Sequence, residues 1–296
     1  MATLSLCEIQ PFVYASCAFG APIAELSGLP RARLRRTLQA TRKPRMSTIN
    51  CNWPPPPDAL SLAPGNVHLW SAPLDQPAAA VDQFHDTLSP DECDRADRFR
   101  AGQLRSRFVV GRGVLRAILG RYLAIHARQV SFQYSSLGKP SLAVPCSASG
   151  LRFNVSHSHG LALVAVAADR DVGVDVEWYR RVVHMAGMVD RYFSVEERRQ
   201  WHALPAELQP AAFFRGWTCK EAWLKVTGSG LSVPLDHVSV SLDPHEPPRV
   251  LAIQDDCLAA EQWHLDCSEP APGYVAALAV CGVRARINSW RWIAQI

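Results

Sequence analysis

The sequence predicts an α+β fold, and three observations carry that reading. From about residue 66 onward, strand-like segments at Val67–Trp70, Val130–Tyr134, Leu151–Val155, Leu161–Ala167 and Val172–Trp178 alternate irregularly with helical ones. Three more, Val238–Leu242, Gln262–Cys267 and Tyr274–Val280, follow the last long helical segment. No internal repeat is visible, so the regular alternation of a doubly wound parallel sheet is missing. At 296 residues the chain can bury one large or two modest cores.

The first 64 residues stand apart. Arg31-Ala-Arg-Leu-Arg-Arg and Lys43-Pro-Arg form a basic stretch, and Trp53-Pro-Pro-Pro-Pro-Asp58 forms a proline-rich linker. Two readings stand: a disordered basic extension, or a true start at Met46 that leaves residues 1–45 untranslated. Glu8 sits where a secretory signal would be basic, and no apolar run approaches a membrane-spanning length of about 18 residues. Nine scattered cysteines form no Cys-x-x-Cys pair, which points to reduced thiols in a cytoplasmic protein; Cys219 reads as a small buried filler. A net charge of +4 is mild and gives no strong case for nucleic acid.

Ser89-Pro90-Asp91-Glu92 carries a capping box with proline at the first helical position. The apolar spacing of Val109, Val110, Val114, Leu115, Ile118 and Leu119 then predicts a helix over about 104–124. Arg95, Arg98, Arg100, Arg105, Arg107, Arg112, Arg116 and Arg121 line this stretch; most read as a solvated face and some as an anion site. Gly111-x-Gly113 is too short for a nucleotide loop. Gly138-Lys139-Pro140 is a turn around one exposed lysine.

Leu151 to Gly160 reads as a strand ending in a polar turn, Asn154-Val155-Ser156-His157-Ser158-His159, before the apolar run Leu161 to Ala168. Asn, Ser and a cationic His offer donors to phosphate oxygens, and the same residues also suit an ordinary turn. His157 and His159 have no further His or Cys at zinc spacing, so a structural zinc site is rejected.

The strand Val172–Trp178 puts Val172, Val174 and Val176 on one face and Asp175 with Glu177 on the other. Alone it reads as an edge strand with a solvated acidic face. Forty-four residues on, Pro210 and Gly228 bound a helix at about 210–227. Its core stripe runs Phe214, Trp217, Glu221, Leu224, so Glu221 stands where an apolar residue is expected. Lys225 is its i, i+4 neighbour; the plain alternative is an exposed Glu–Lys pair worth about 0.3–0.5 kcal/mol. Asp175, Glu177 and Glu221 together supply the hard oxygen ligands of Mg²⁺, and Lys225 would meet charge on a departing phosphate oxygen.

These residues, taken in order, resemble the Sfp-type 4′-phosphopantetheinyl transferases. The motifs are Gly-Lys-Pro at 138–140, Phe-Asn-x-Ser-His-Ser at 153–158, Gly-x-Asp-x-Glu at 173–177, Phe-Ser-x-x-Glu at 193–197, Trp-x-x-Lys-Glu-Ala-x-x-Lys at 217–225 and Gly-x-Gly-Leu at 228–231. The resemblance covers roughly residues 65 to 290. It implies an α+β fold of two similar halves forming a pseudodimer, 65–170 and 171–296, with coenzyme A in the cleft between them. It also implies transfer of the phosphopantetheine arm of coenzyme A to a serine of an apo acyl, peptidyl or polyketide carrier protein, releasing 3′,5′-ADP. By matching position, Asp175, Glu177 and Glu221 would bind Mg²⁺ (or Mn²⁺), and Asp175 also the coenzyme A diphosphate. Glu221 would take the serine proton and Lys225 would stabilise or protonate the departing phosphate. Lys220 would add charge beside the ligand, Ser156 and His157 would contact phosphates, Lys139 with Pro140 would hold the nucleotide, and Arg107 would meet the 3′-phosphate, Arg95 and Arg98 being weaker candidates.

The resemblance further implies a single-chain enzyme, and the longer type of chain leans toward secondary metabolism. Val182 to Tyr192 reads equally as a carrier-docking segment and as helix core. Two rivals remain at this level: a metal-dependent nuclease, against which the mild charge and the Ser-His turn count, and a carrier-binding relative without activity, which would lack one of the acids or the lysine.

Overall fold

The computed structural model describes residues 53–228 and 233–293. The Met46 start, the basic stretch before Trp53 and most of the Gly-x-Gly-Leu motif lie outside the described residues. Strand β1 (Asn66–Pro73) is followed by helices α1 (Ala78–His85), α2 (Pro90–Asp97) and α3 (Gly102–Leu123). Two short strands, β2 (Phe132–Tyr134) and β3 (Pro140–Leu142), precede β4 (Leu151–Ser158), β5 (Leu161–Ala168) and β6 (Val172–Trp178). Helices α4 (Met185–Tyr192), α5 (Val195–Ala203) and α6 (Gln209–Thr227) come next. Then follow β7 (Val238–Val240), β8 (Val250–Ile253), α7 (Cys257–Ala260), β9 (Trp263–Ser268), β10 (Tyr274–Cys281) and β11 (Arg286–Arg291). The α+β expectation holds. The strands β3, β8 and β11 had no clear sequence signal, being short or, in β11, rich in polar residues.

Two sheets form the centre, one in the order β11-β1-β5-β4 and one in the order β6-β10-β9. Alternate residues of β5 serve two cores: Ala162, Val164 and Val166 pack under α3, while Leu161, Leu163, Ala165 and Ala167 face the second sheet. Strand β10 repeats the device, with Ala276, Leu278 and Val280 toward the first sheet and Val275, Ala277 and Ala279 toward the α6 side. Burial on both faces removes the apolar–polar alternation, which explains the unbroken apolar runs of both strands. The result is four layers: α3, the first sheet, the second sheet, α6. The last strand, β11, returns to pair in parallel with β1.

The proline-rich segment is no free linker in its described part. Pro54 O accepts from Arg291 N, Arg121 donates to Pro57 O at 2.8 Å, and Leu60 and Leu62 pack against the core under α3. The capping box of α2 is present as expected, and its Glu92 is also an anchor, reaching Arg116 at 2.7 Å and Arg112 at 3.2 Å.

The sheets meet at an edge through side chains. Asn154 Oδ1 accepts from Val174 N at 3.0 Å, Ser156 Oγ from Val176 N at 3.3 Å and Ser158 Oγ from Trp178 N at 3.1 Å. Three alternate residues of β4 thus satisfy three outward N–H groups of edge strand β6, spaced 20 residues apart each time. The segment expected to be a polar turn is therefore strand as far as Ser158, because its polar side chains do the work of a neighbouring backbone.

Asn154→Ala should leave the buried Val174 N–H without a partner and cost about 1–3 kcal/mol. Chemical denaturation of the variant checks this; an unchanged midpoint would mean that water replaces the amide.

Candidate active site

Gly173, Asp175 and Glu177 share the face of β6 that meets α6. A Cβ at Gly173 would collide with the Ala222 carbonyl and stand 2.8 Å from Val226 N, so the missing side chain allows the helix to lie directly on the strand. That approach brings Lys225 Nζ to 2.7 Å from Asp175 Oδ1 and 3.1 Å from Val174 O. Ser156 Oγ donates to the same Asp175 oxygen at 2.8 Å, and Ser158 Oγ donates to Glu177 Oε2 at 2.9 Å. The seam hydroxyls thus accept from the backbone of β6 and donate to its carboxylates.

The acidic face is buried, not solvated: Asp175, Glu177 and Glu221 are 5%, 8% and 3% exposed. Helix α6 is buried on nearly every side from Ala212 to Leu224, so the expected single core stripe widens to the whole helix. Burial first, and the nearby Asp175 charge second, push the Glu221 carboxyl up to about 8 and Glu177 up to about 7. Asp175 Oδ2 and Glu221 Oε1 are buried without a hydrogen-bond partner. Three acids facing one lysine leave a surplus of negative charge that a hard divalent cation would neutralise. Among the described residues no three side chains are already drawn in to metal-holding spacing, so the acids form an open set, the kind Mg²⁺ completes with waters and phosphate oxygens.

His157 lies on the other face of β4. Burial, then the charge of Lys225, lowers its pKa to about 4, so the imidazole is neutral rather than the expected cation. Arg95 and Arg112 act on it in the same direction. Arg112, held by Glu92, stands over the rings of Phe132 and Tyr134 and bonds the Tyr134 hydroxyl. These are the arginines whose charge reaches the site. Arg107 is occupied elsewhere, in a two-point contact with Asp75 at 2.7 and 2.8 Å. Arg112 was only one arginine in a run; nothing in linear spacing separates the arginine that α3 turns toward His157 from the one it turns toward Asp75.

Lys139 is half-buried rather than exposed. Its Nζ donates to Val226 O at 3.1 Å, joining the Gly138 turn to the end of α6, and desolvation lowers its pKa. Pro140 opens β3 opposite Tyr134. Lys220 corrects the sequence expectation: it is fully buried, 2.6 Å from Glu197 Oε2, and bonds the carbonyls of Leu235 and Val238. It has no surface with which to meet a ligand. Glu197, from the Phe-Ser-x-x-Glu motif, also accepts from Ser194 N and Val240 N, so this pair fastens α5, α6 and β7 together. Cys219 is buried as expected, its Sγ 3.3 Å from Cys267 Sγ. Gly173 is the residue that the sequence reading missed as a positioning element.

The 4′-phosphopantetheinyl transferase superfamily model matches residues 171–279, and the 4′-phosphopantetheinyl transferase N-terminal model matches residues 73–170. HetI of Nostoc sp., a 4′-phosphopantetheinyl transferase, is 41% identical over 240 residues, covering 81% of this chain and 98% of its own. A putative 4′-phosphopantetheinyl transferase of Synechocystis sp. is 33% identical, covering 57% of this chain and 68% of its own. Sfp of Bacillus subtilis is 27% identical, covering 70% and 88%.

Two outcomes follow from the geometry. Gly173→Ala should force α6 off β6 and cost about 1–3 kcal/mol or more, read by thermal unfolding. Glu221 is a carboxyl whose pKa rises on folding, to about 8; the folded state holds its proton longer, so ligand-free stability falls as pH rises from about 4.5 toward 8. Glu221→Gln should flatten that slope in thermal unfolding between about pH 5 and 8. Parallel profiles for variant and wild type would refute the assignment.

Proposed function

This chain belongs to the 4′-phosphopantetheinyl transferases, and from that membership we infer that it transfers the phosphopantetheine arm of coenzyme A to a serine of an apo carrier protein, releasing 3′,5′-ADP. The observation that carries the residue-level reading is the buried junction of Asp175, Glu177, Glu221 and Lys225, a charge surplus beside a lysine. The family membership removes the nuclease alternative, and the complete set of acids and lysine speaks against an inactive relative.

Asp175, Glu177 and Glu221 would hold Mg²⁺, or Mn²⁺, and the ion when bound would supply Lewis-acid charge to the diphosphate oxygens. Glu221 takes the proton of the carrier serine, directly or through water; its raised pKa belongs to the ligand-free protein, and a bound cation would favour its charged form. The serine oxygen attacks the β-phosphorus of coenzyme A, the bond to the bridging oxygen breaks, and the electron pair leaves with 3′,5′-ADP. Lys225 stabilises or protonates that departing oxygen. His157 would contact phosphate oxygens, Ser156, whose hydroxyl is bonded to Asp175 and Val176 N, would serve by holding that acid, Arg95 and Arg112 would offer positive charge for the 3′-phosphate, and Lys139 with Pro140 would shape the nucleotide end. An anion beside His157 would favour its protonation, so its neutral state belongs to the ligand-free protein.

The carrier docks on α4 and the adjoining groove of about 320 Å³ lined by Arg180, Arg181, Val182, Met185, Trp201 and Pro210. A basic rim around apolar side chains suits an acidic carrier surface. Val189 anchors α4 in the core, and the 70% exposed Val183 would be free to meet the carrier. The enzyme acts as a single chain because both sheets of the seam are its own. No helix among the described residues is long and apolar enough to cross a membrane, and the free thiols accord with a reducing cytoplasm. A role in secondary metabolism stays part of this proposal.

Intact-mass spectrometry of apo acyl and peptidyl carriers with coenzyme A and Mg²⁺ tests the reading. One phosphopantetheine should be gained, and the gain should be lost with EDTA. Asp175→Ala and Glu221→Ala should abolish transfer in a folded protein, while Lys225→Ala should slow turnover severely with a smaller effect on coenzyme A binding. Near-normal turnover in either acid variant would overturn the site assignment.

A further inference from the structure

The two acids of β6 are held differently. Asp175 Oδ1 is gripped twice, by Ser156 Oγ at 2.8 Å and by Lys225 Nζ at 2.7 Å, while its Oδ2 is buried without a partner. Glu221 Oε1, on α6, is also buried and unpartnered. The hydrogen bond that holds Glu177 comes from Ser158, whose Oγ donates to Oε2 at 2.9 Å.

The Ser158 hydroxyl is itself fixed. The residue is buried, and its backbone pairs with Leu161 in the first sheet. Its Oγ accepts from Trp178 N at 3.1 Å, so one lone pair is engaged and the proton is aimed at Glu177. The backbone of Glu177 pairs with Val275 in the second sheet. Donor and carboxylate are therefore mounted on two separate sheets, and neither stands on a loop.

A carboxylate with one oxygen engaged has one left for a cation. Mg²⁺ takes about six oxygens in a near-ideal octahedron and suits carboxylates that offer single oxygens. The larger Ca²⁺ takes about six to eight and readily uses both oxygens of one carboxylate. Glu177 has one methylene more than Asp175 and is not tied to Lys225. It is the strand acid that could turn both oxygens to an ion once released.

We propose that Ser158 is a specificity-determining residue of the cation site: by holding one oxygen of Glu177 it limits that acid to single-oxygen contact and favours Mg²⁺ and Mn²⁺ over Ca²⁺. The inference rests on the reading above in which Asp175, Glu177 and Glu221 hold the ion. Ser158 acts through Glu177 and is a positioning residue, in the way that outer hydrogen-bond partners orient metal ligands.

Mn²⁺ binding to the full chain with coenzyme A present and no carrier, followed by the electron paramagnetic resonance of the free ion, and displacement of Mn²⁺ by Ca²⁺ test the proposal. In Ser158→Ala the preference for Mn²⁺ over Ca²⁺ should shrink about tenfold, equivalent to about 1.4 kcal/mol. Ser158→Thr keeps the hydroxyl and should keep the wild-type preference. Ser158→Cys, close in volume but a weak donor, should shift as alanine does, and it supplies the reading if Ser158→Ala fails to fold. A merely structural hydroxyl would weaken both ions together and lower the thermal midpoint, leaving their ratio unchanged. That result, or a preference lost equally in Ser158→Thr, would overturn the proposal. Wild type that binds coenzyme A but no Mn²⁺, or Mn²⁺ binding that survives Asp175→Ala at full strength, would bring down the metal-site reading itself. Asp175-dependent binding with an unchanged ratio in Ser158→Ala sinks only the selectivity.

Discussion

The constraint on which the rest of the structure depends is the side-chain seam between β4 and β6. An edge strand has outward N–H groups that must find partners, and the usual partner is another strand. Here Asn154, Ser156 and Ser158 take that place. A backbone ladder would have merged the two sheets into one continuous surface. A row of side chains lets the second sheet pack over the first while its edge stays bonded, and the same hydroxyls then point their protons at Asp175 and Glu177. One row of atoms therefore closes the fold and orients two acids.

Buried charge is handled in two ways. Glu197 meets Lys220 and two backbone donors, and Glu92 is ion-paired with both Arg112 and Arg116, although its Oε1 makes no hydrogen bond. Such pairs contribute position more than stability, because desolvation offsets much of their attraction. At the seam the compensation is withheld. Lys225 serves Asp175, while Glu177 and Glu221 are raised toward neutrality and polar oxygens are left without partners. An uncompensated acidic cluster is costly in the free protein, and a divalent cation, as proposed for this site, would relieve that cost. The motif lysine at 220 and the motif lysine at 225 are five residues apart on one helix and have opposite uses, since one points toward α5 and β7 and the other toward β6.

The chain by itself determined the elements and the chemistry. Capping at Ser89, the bounds of α6 at Pro210 and Gly228, the two-residue period of β6 and the intrusion of Glu221 into an apolar helix are local signals, set by backbone geometry and periodicity, and they were legible in order. The acids of the candidate site and Lys225 followed from them. What only the tertiary structure decided was direction and burial. Whether Lys220 meets a ligand or Glu197, whether Arg107 or Arg112 reaches His157, whether Lys139 is exposed, and whether Asn154 to Ser158 is turn or strand all depend on which element lies opposite. Sequence spacing carries a side chain's place on its own helix or strand, and it holds no record of the surface across from it. Gly173 shows the limit most plainly: its role is the absence of a side chain, and that absence acquires meaning only when α6 lies against it.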